Sequence, residues 1–316
     1  MVMNAQAAAR VAADPTKRSI RRRRGSLART RGEKIFGAVN VVILLLAVAI
    51  TLYPFLNVLA QSLSSEKYID FGEVTVWPLG WNFDTYKLVA TDPLFWINYR
   101  NTVVYTVVST AVSMILSTMF AYAVSRKDLK GRGFFIGLAL VTMLYSGGLI
   151  PTYVLVNGLG LTNTIWAIAL PGAISVFNVL VMKSFFENLP NELEEAAAID
   201  GLNTYSTLLR IVLPLSKAVI ATMILFYAVA SWNSWFPAFL YMDHSDLNPV
   251  TVYLRNLLAG ATGAQDAGAS ADDSLTQINA NIKAVTMILT VLPILFVYPF
   301  IQKYFVSGVM LGSVKG

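Results

Sequence analysis

The sequence predicts an all-α, polytopic membrane protein with six transmembrane helices, and three observations carry that prediction. Of its 316 residues, 56% are hydrophobic and only 13% charged, about half the charged share of an ordinary soluble domain. Six separate stretches stay apolar long enough to cross roughly 30 Å of hydrocarbon at about 1.5 Å per helical residue. Basic residues crowd the loops on one side of those stretches. A chain with so few charges cannot cover a water-facing surface of its size, so lipid is the expected solvent for much of it.

The elements follow in chain order. The net charge of +6 is concentrated at the start: residues 1–34 hold ten Lys/Arg against Asp14 and Glu33, a surplus of +8, whereas the rest carries 14 basic and 16 acidic side chains, or −2. That stub, with Arg21–Arg24, is expected to anchor topology by touching anionic lipid. It lacks the basic fold and interleaved aromatics of a nucleic-acid binder. The first span runs about 35–60. Arginines before an apolar run resemble a signal peptide, with Val58-Leu59-Ala60 as a cleavage site. The run is longer than such a segment needs and more hydrophobic stretches follow, so an uncleaved first helix is expected. In the loop that follows, Trp77-Pro78-Leu79-Gly80-Trp81 and Phe95-Trp96 read either as membrane-surface anchors or as a docking patch.

The second span covers 102–124, and in it Thr106, Thr110, Ser113, Ser117 and Ala121 recur at helical spacing on one face. The third, 134–156, is interrupted by Ser146-Gly147-Gly148 and Pro151. Breaks of that kind are tolerated in a membrane only where protein or a watery cavity satisfies the freed backbone groups. The fourth, fifth and sixth cover 164–186, 218–241 and 283–302, and Pro54, Pro171, Pro237, Pro293 and Pro299 mark kinks. The stretch Ala259–Asp273 is too polar and flexible to pack alone.

With the N-terminus inside, 19 Lys/Arg fall on the cytoplasmic side. They are the ten of the stub, Arg126, Lys127, Lys130 and Arg132, then Lys183, Arg210 and Lys217, and finally Lys303 and Lys315. Only Lys67, Lys87, Arg100 and Arg255 lie outside, with Lys283 at a boundary. This bias predicts a multi-pass protein of the cytoplasmic membrane with both termini cytoplasmic. There is no cysteine, hence no disulfide, thiolate nucleophile or Cys-based metal site. His244 is the single histidine; with Asp243 and Asp246 in a loop it reads as solvated, and no metal site or catalytic residue is assigned. No phosphate-binding loop is present, since Gly312-Ser313-Val314-Lys315 has the wrong glycine spacing.

The long loop between the fourth and fifth spans is the informative part. Asn191 with Glu194 three residues on makes a capping-box pattern. Glu192, Glu194 and Glu195 fall in the first turn, where they complement the helix dipole. Gly201 is a natural stop just past the end. A short cytoplasmic helix over 192–200 is expected, then a turn and a second helix leading to Pro214. An interfacial helix would carry Lys/Arg and large apolar residues. This one has acids and the run Ala196, Ala197 and Ala198, so it is built to meet protein.

The spacing Glu195-Ala196-Ala197, three residues, Gly201, nine residues, Ile211-x-Leu213-Pro214 resembles, without a gap, the EAA loop of bacterial ABC importer permeases. Ser146-Gly-Gly-Leu-Ile-Pro-Thr-Tyr153, Leu159-Gly-Leu161, Trp232-Asn233 and the ending Gly308–Gly316 are similar to carbohydrate-uptake permeases of the six-span maltose-importer type, in the complex-oligosaccharide branch. The resemblance covers roughly 35–316. It implies a type I ABC importer transmembrane domain: a basic cytoplasmic segment at 1–34, a first helix and outer loop at 35–100, a core permease domain at 101–302 with its coupling loop at 187–216, and a cytoplasmic tail at 303–316. It further implies that Glu195, Ala196, Ala197, Asp200, Gly201, Leu213 and Pro214 form the ATPase-coupling surface. No cofactor is bound by the chain itself; ATP and Mg are used by a partner ATP-binding subunit. The other implied partners are a second, homologous permease, an extracellular or periplasmic sugar-binding protein, the oligosaccharide and membrane lipid. By the same likeness, the 242–281 loop can probe the binding protein's cleft.

Candidate pathway residues follow from sugar chemistry. Sugars present apolar C–H faces and hydroxyl edges, so Ser231–Pro237, with Trp232 and Asn233, suits them, although Trp at a span's outer end also builds an interfacial belt. Tyr145 and Ser146 at the third-span break, and Ser113 in the second span, are further candidates; close helix packing is the other use of the Ser113 face. The alternative function, an ion-coupled secondary transporter or channel subunit, would prefer charged residues buried within the spans. The span middles contain none.

Overall fold

A computed structural model describes residues 31–256, 259 and 281–296. Arg21–Arg24, the polar stretch within 260–280 and the Gly308–Gly316 ending lie outside those residues. Among the described residues the secondary structure is helical, without a strand. Contacts divide the chain into two units, one ending at Pro54 and the other beginning at Phe55.

The first unit is described from Arg31 to Pro54, within α1 (Arg31–Ser62). Its most apolar window has a mean hydropathy of 2.7 with none of it buried. A helix that is apolar all round belongs in lipid or against another protein. Thr51 meets that environment by donating its hydroxyl to the Ala47 carbonyl at 2.8 Å.

The second unit is organised around α4 (Pro93–Ser125). Asp92 caps its start by accepting from the Leu94 N–H at 2.8 Å, and Pro93 occupies the first turn, where its missing N–H costs nothing. α8 (Val176–Glu187) and α12 (Lys217–Trp232) pack along α4. Their shared core, toward the C-terminal end of α4, is built by Ala121, Tyr122, Met182, Phe186, Val212 and Met223.

The N-terminal part of α4 is joined to its neighbours by hydrogen bonds to backbone. Asn101 donates its amide to the Asp246 carbonyl at 2.6 Å, Tyr105 donates to Leu247 O at 2.7 Å, and Thr102 accepts from Val250 N at 2.8 Å. These bonds fix a loop holding a 3-10 turn (Ser245–Leu247) and the helix at 250–256 against α4. α2 (Glu66–Asp70) and α3 (Asp84–Thr91) fold over the end of α1, where Tyr86 donates to Ser62 Oγ at 2.9 Å. The amide of Asn281, at the start of the helix Asn281–Phe296, donates to Ser64 O at 2.7 Å. In that outer loop Trp77 and Trp81 are exposed, whereas Phe95 is fully buried.

The third, fourth and fifth of the expected spans are interrupted in the structure. Among the described residues, two unbroken helices, α1 and α4, have spanning length, and up to four spans are obtained if each bent pair counts as one. The third stretch is α5 (Arg132–Leu144) and α6 (Leu149–Gly158), bent by 111° at the Tyr145–Gly148 break. Gly148 turns there with φ of 87°, a conformation costly for any residue with a Cβ. The fourth is split into α7 (Ile165–Ala169) and α8, because Pro171 and Gly172 end the first piece. The fifth breaks after Trp232 and resumes as α13 (Phe236–Tyr241), with Pro237 in its first turn. The sixth is described only as far as Phe296.

Candidate functional site: a coupling helix and a central cavity

The short helix expected over 192–200 is present as α9 (Glu192–Ile199). The expected capping box is not. Asn191 is itself helical, with φ −64° and ψ −29°, and its side chain makes no cap hydrogen bond. Instead its carbonyl accepts from Glu194 N at 3.0 Å and Glu195 N at 3.1 Å, because the first turn already starts at Pro190, whose carbonyl accepts from Leu193 N. The three glutamates complement the dipole as anticipated.

The C-terminal end is a Schellman closure. Gly201 has φ of 76°, its N–H donates to Ala198 O at 3.1 Å, and Leu202 N donates to Ala197 O at 2.9 Å. The closure presents Glu195, Ala196, Asp200 and Gly201 outward, while Ala197 is 1% exposed. Ile199, one turn beyond Glu195, is 87% exposed, and Tyr205 and Leu209 are also bare. These large apolar residues extend the acid-and-alanine surface; the sequence pattern pointed to the small residues and passed over them.

After α10 (Thr204–Thr207) the chain widens into a π turn (Leu208–Val212) and then α11 (Leu213–Leu215). Pro214 offers no N–H to the carbonyl four residues back, which favours such a wider turn. Leu213 packs against the core built around Ala121 and Met223, and Pro214 is exposed. The helix then turns by 89° at Ser216 into α12. Ser216 is wholly buried, and its N–H is shared between Val212 O and Leu213 O.

Higher up, the breaks in the fourth and fifth stretches, the start of α6 and the middle of α4 surround a cavity of about 390 Å³. That is within the usual range for small-molecule sites. Ser109, Ser113, Thr152, Tyr227, Ser231 and Ser234 bring hydroxyls to its wall, and Phe236 and Tyr241 bring aromatic rings; no lining side chain is charged. The Ser109 hydroxyl is buried with no partner among the described residues. Irregular backbone at membrane depth is expected only beside such a cavity.

Of the pathway candidates that motif and spacing suggest, Ser113 lines the cavity. Trp232 stands in the core behind it, donating its indole N–H to Thr290 O at 3.2 Å and meeting Tyr99 edge-on. Asn233 is exposed and caps α12 by donating to Val229 O at 2.8 Å. Tyr145 is 76% exposed, and Ser146 accepts from Gly148 N within the break. Thr106 and Thr110, from the same α4 face, bury their hydroxyls without partners among the described residues, whereas Ala121 packs in the core. Tyr227 was not anticipated: a lone tyrosine in an apolar run carries no motif. Ser109 could have been found, one turn before Ser113.

An exposed acidic, alanine-rich helix and a hydroxyl-lined cavity between broken helices suit a transport permease. Residues 93–310 match the family described as binding-protein-dependent transport system inner membrane component. The chain belongs to that family. Among similar proteins, Protein LplC of Bacillus subtilis is 40% identical over 290 residues, covering 91% of this chain and 97% of the relative. The polygalacturonan/rhamnogalacturonan transport system permease protein YtcP of the same organism is 39% identical, covering 90% and 99%. The crystal structure of a bacterial ABC transporter involved in the import of the acidic polysaccharide alginate contains a chain 30% identical to this one. It superposes with a TM-score of 0.79, covering 88% of this chain and 99% of that one. This inner-membrane component is therefore a multi-pass permease subunit of an ABC transporter, a part that works with a separate ATPase.

Proposed function

We propose that this permease carries oligosaccharides inward across the bacterial cytoplasmic membrane, paired with a second, unlike permease. Two copies of an ATP-binding subunit would use ATP and Mg, and a sugar-binding protein would deliver the substrate from outside. Both termini lie in the cytoplasm in this reading. The observation that carries it is the 187–216 loop: an exposed helix closed at Gly201, with Glu195 and Ile199 on one face, joined through the Ser216 elbow to a helix that walls the cavity. Closure of the ATPases would push α9, and the cavity would switch from inward-facing to outward-facing access.

The cavity chemistry supports a polyhydroxylated cargo, since hydroxyls and aromatic faces answer the edges and faces of a sugar. Asn233 and Tyr145, exposed at neighbouring breaks, border the path where the second permease would complete it. The names of the relatives make uronic-acid oligosaccharides the first substrates to test. The test is reconstitution of the complete transporter with its binding protein in liposomes, with uptake of labelled uronic and neutral oligosaccharides measured with and without ATP. ATP-dependent uptake of either class is expected. Uptake that follows an ion gradient and ignores ATP would overturn the proposal.

A further inference from the structure

The short loop after α4 carries four of the basic residues that set topology, and the structure separates them. Lys127 and Lys130 are exposed. Arg126 and Arg132 turn inward. Arg132 donates to Glu187 Oε1 and, at 2.8 Å, to Val124 O, and Lys183 shares Glu187 at 2.9 Å. Arg126 reaches further and donates through Nη1 to Glu194 Oε2 on α9. Its guanidinium lies 4.5 Å from the centre of the Tyr122 ring, and Tyr122 in turn meets Phe186 of α8 edge-on.

Among the described residues, this is the side-chain hydrogen bond that joins α9 to another element. Both partners are largely shielded, with 21% and 23% of their side chains exposed. Exposed ion pairs are worth little. Here, losing one partner strands the other away from water, and Arg126 Nε and Nη2 already lack partners among the described residues. The adjacent acids therefore divide their work: Glu194 faces the bundle and Glu195 faces out. Arg126 is also continuous with α4, the helix whose Ser109 and Ser113 line the cavity roughly 20 Å higher at about 1.5 Å per residue.

We propose that the Arg126–Glu194 ion pair is a coupling strut that ties α9 to the cytoplasmic end of α4. A displacement of α9 then reaches the Ser109–Ser113 wall of the cavity directly, in parallel with the route through Ser216 into α12. Arg126 and Glu194 are positioning residues, since neither touches the cargo or the ATPase face. The inference rests on the transport function proposed above.

The test uses the whole transporter in liposomes with Arg126→Glu, Glu194→Arg and the double exchange. Each single variant keeps its ATPase subunit through purification and hydrolyses ATP, but uptake per ATP falls about tenfold, inside the usual span of coupling energies. The double exchange returns the ratio to within about twofold of wild type, as a direct pair requires. Loss of the ATPase subunit in the singles, or a double exchange no better than they are, overturns the strut. Arg126→Gln and Glu194→Gln guard against misfolding: both reach the membrane at normal levels with a lowered ratio, and an unchanged ratio in both also overturns it. Uptake by the wild-type complex is the separate check. Its absence overturns the transport function, whereas uptake with an unaffected ratio in every variant overturns the strut alone.

Discussion

Ser117 of α4 and Tyr227 of α12 share a hydrogen bond 2.6 Å long beneath the cavity, and the Tyr227 oxygen also accepts from Ser175 N at 3.1 Å. One phenol therefore joins three segments at the point where the hydroxyl-lined space gives way to the apolar core. Tyr227→Phe leaves the Ser117 hydroxyl and the Ser175 N–H without that partner. The expected cost is about 1–3 kcal/mol for stranded buried polar groups. A lower melting temperature of the detergent-purified complex and slower uptake, with the ATPase subunit still bound, are the expected results. An unchanged melting temperature would show that the three segments hold together without it.

How much of this was legible beforehand depends on sequence distance. The end of α9 could be read from Gly201 and the acids before it, because helix stops are local. The break at Ser146-Gly147-Gly148 was legible for the same reason. Pro171 and Pro237 read as kinks, yet the helix ends at Pro171 and is interrupted just before Pro237. A proline announces a lost backbone bond; whether the helix then bends or breaks depends on which neighbours satisfy the freed groups, and those neighbours are far away in the chain. Tyr227 was invisible because its partners are 110 and 52 residues distant. Arg126 and Arg132 were visible as charges, but their inward pairing to Glu194 and Glu187 was not. The capping box at Asn191 failed for a local reason: Pro190 started the helix one residue early.

Gly201 should tolerate substitution according to φ rather than size. Space is open around it, with nothing within 4 Å of where a Cβ would stand, but its φ is 76°. Gly201→Ala then costs about 1–2 kcal/mol of backbone strain, Gly201→Asn less, and Gly201→Pro most, because it also deletes the N–H given to Ala198 O. Uptake and ATPase co-purification should fall in the order Asn, Ala, Pro while the amount of chain in the membrane stays level. Glu195→Lys, on the exposed face, should join the proline variant in losing the ATPase. Equal co-purification across all four would remove α9 from the coupling surface.

Ser113, in the cavity wall, and Asn233, on the path proposed beside it, make separate predictions. Ser113→Leu fills part of a space of about 390 Å³ and is expected to lower maximal uptake several-fold, at roughly 1.4 kcal/mol per factor of ten. Asn233→Ala removes the amide that caps α12 at Val229 O and, if Asn233 borders the path as proposed, should raise KM while maximal uptake holds. Uptake kinetics on several oligosaccharides check both. A Ser113→Leu transporter with normal kinetics would move the path elsewhere.

Tyr253 supplies a pH dependence at the start of α4. Its hydroxyl donates to Asp92 Oδ2 at 2.7 Å, tying the helix at 250–256 to the carboxylate that caps α4. Burial, then that hydrogen bond and the nearby Asp92 charge, push the phenol above its ordinary value of 10.0. A raised value on an acid means that the folded state favours the protonated form. The stabilisation is thus fully present below the unfolded value, about 10, and is lost as pH climbs through the folded one. Tyr253→Phe lacks the bond at every pH. The wild-type advantage over Tyr253→Phe in thermal stability should stay constant through neutral and mildly alkaline conditions and shrink only above about pH 10. Limited proteolysis of the outer loop across the same pH series should follow the same curve. An advantage that declines already between neutral pH and about pH 9 would mean that another group, rather than this phenol, holds the loop.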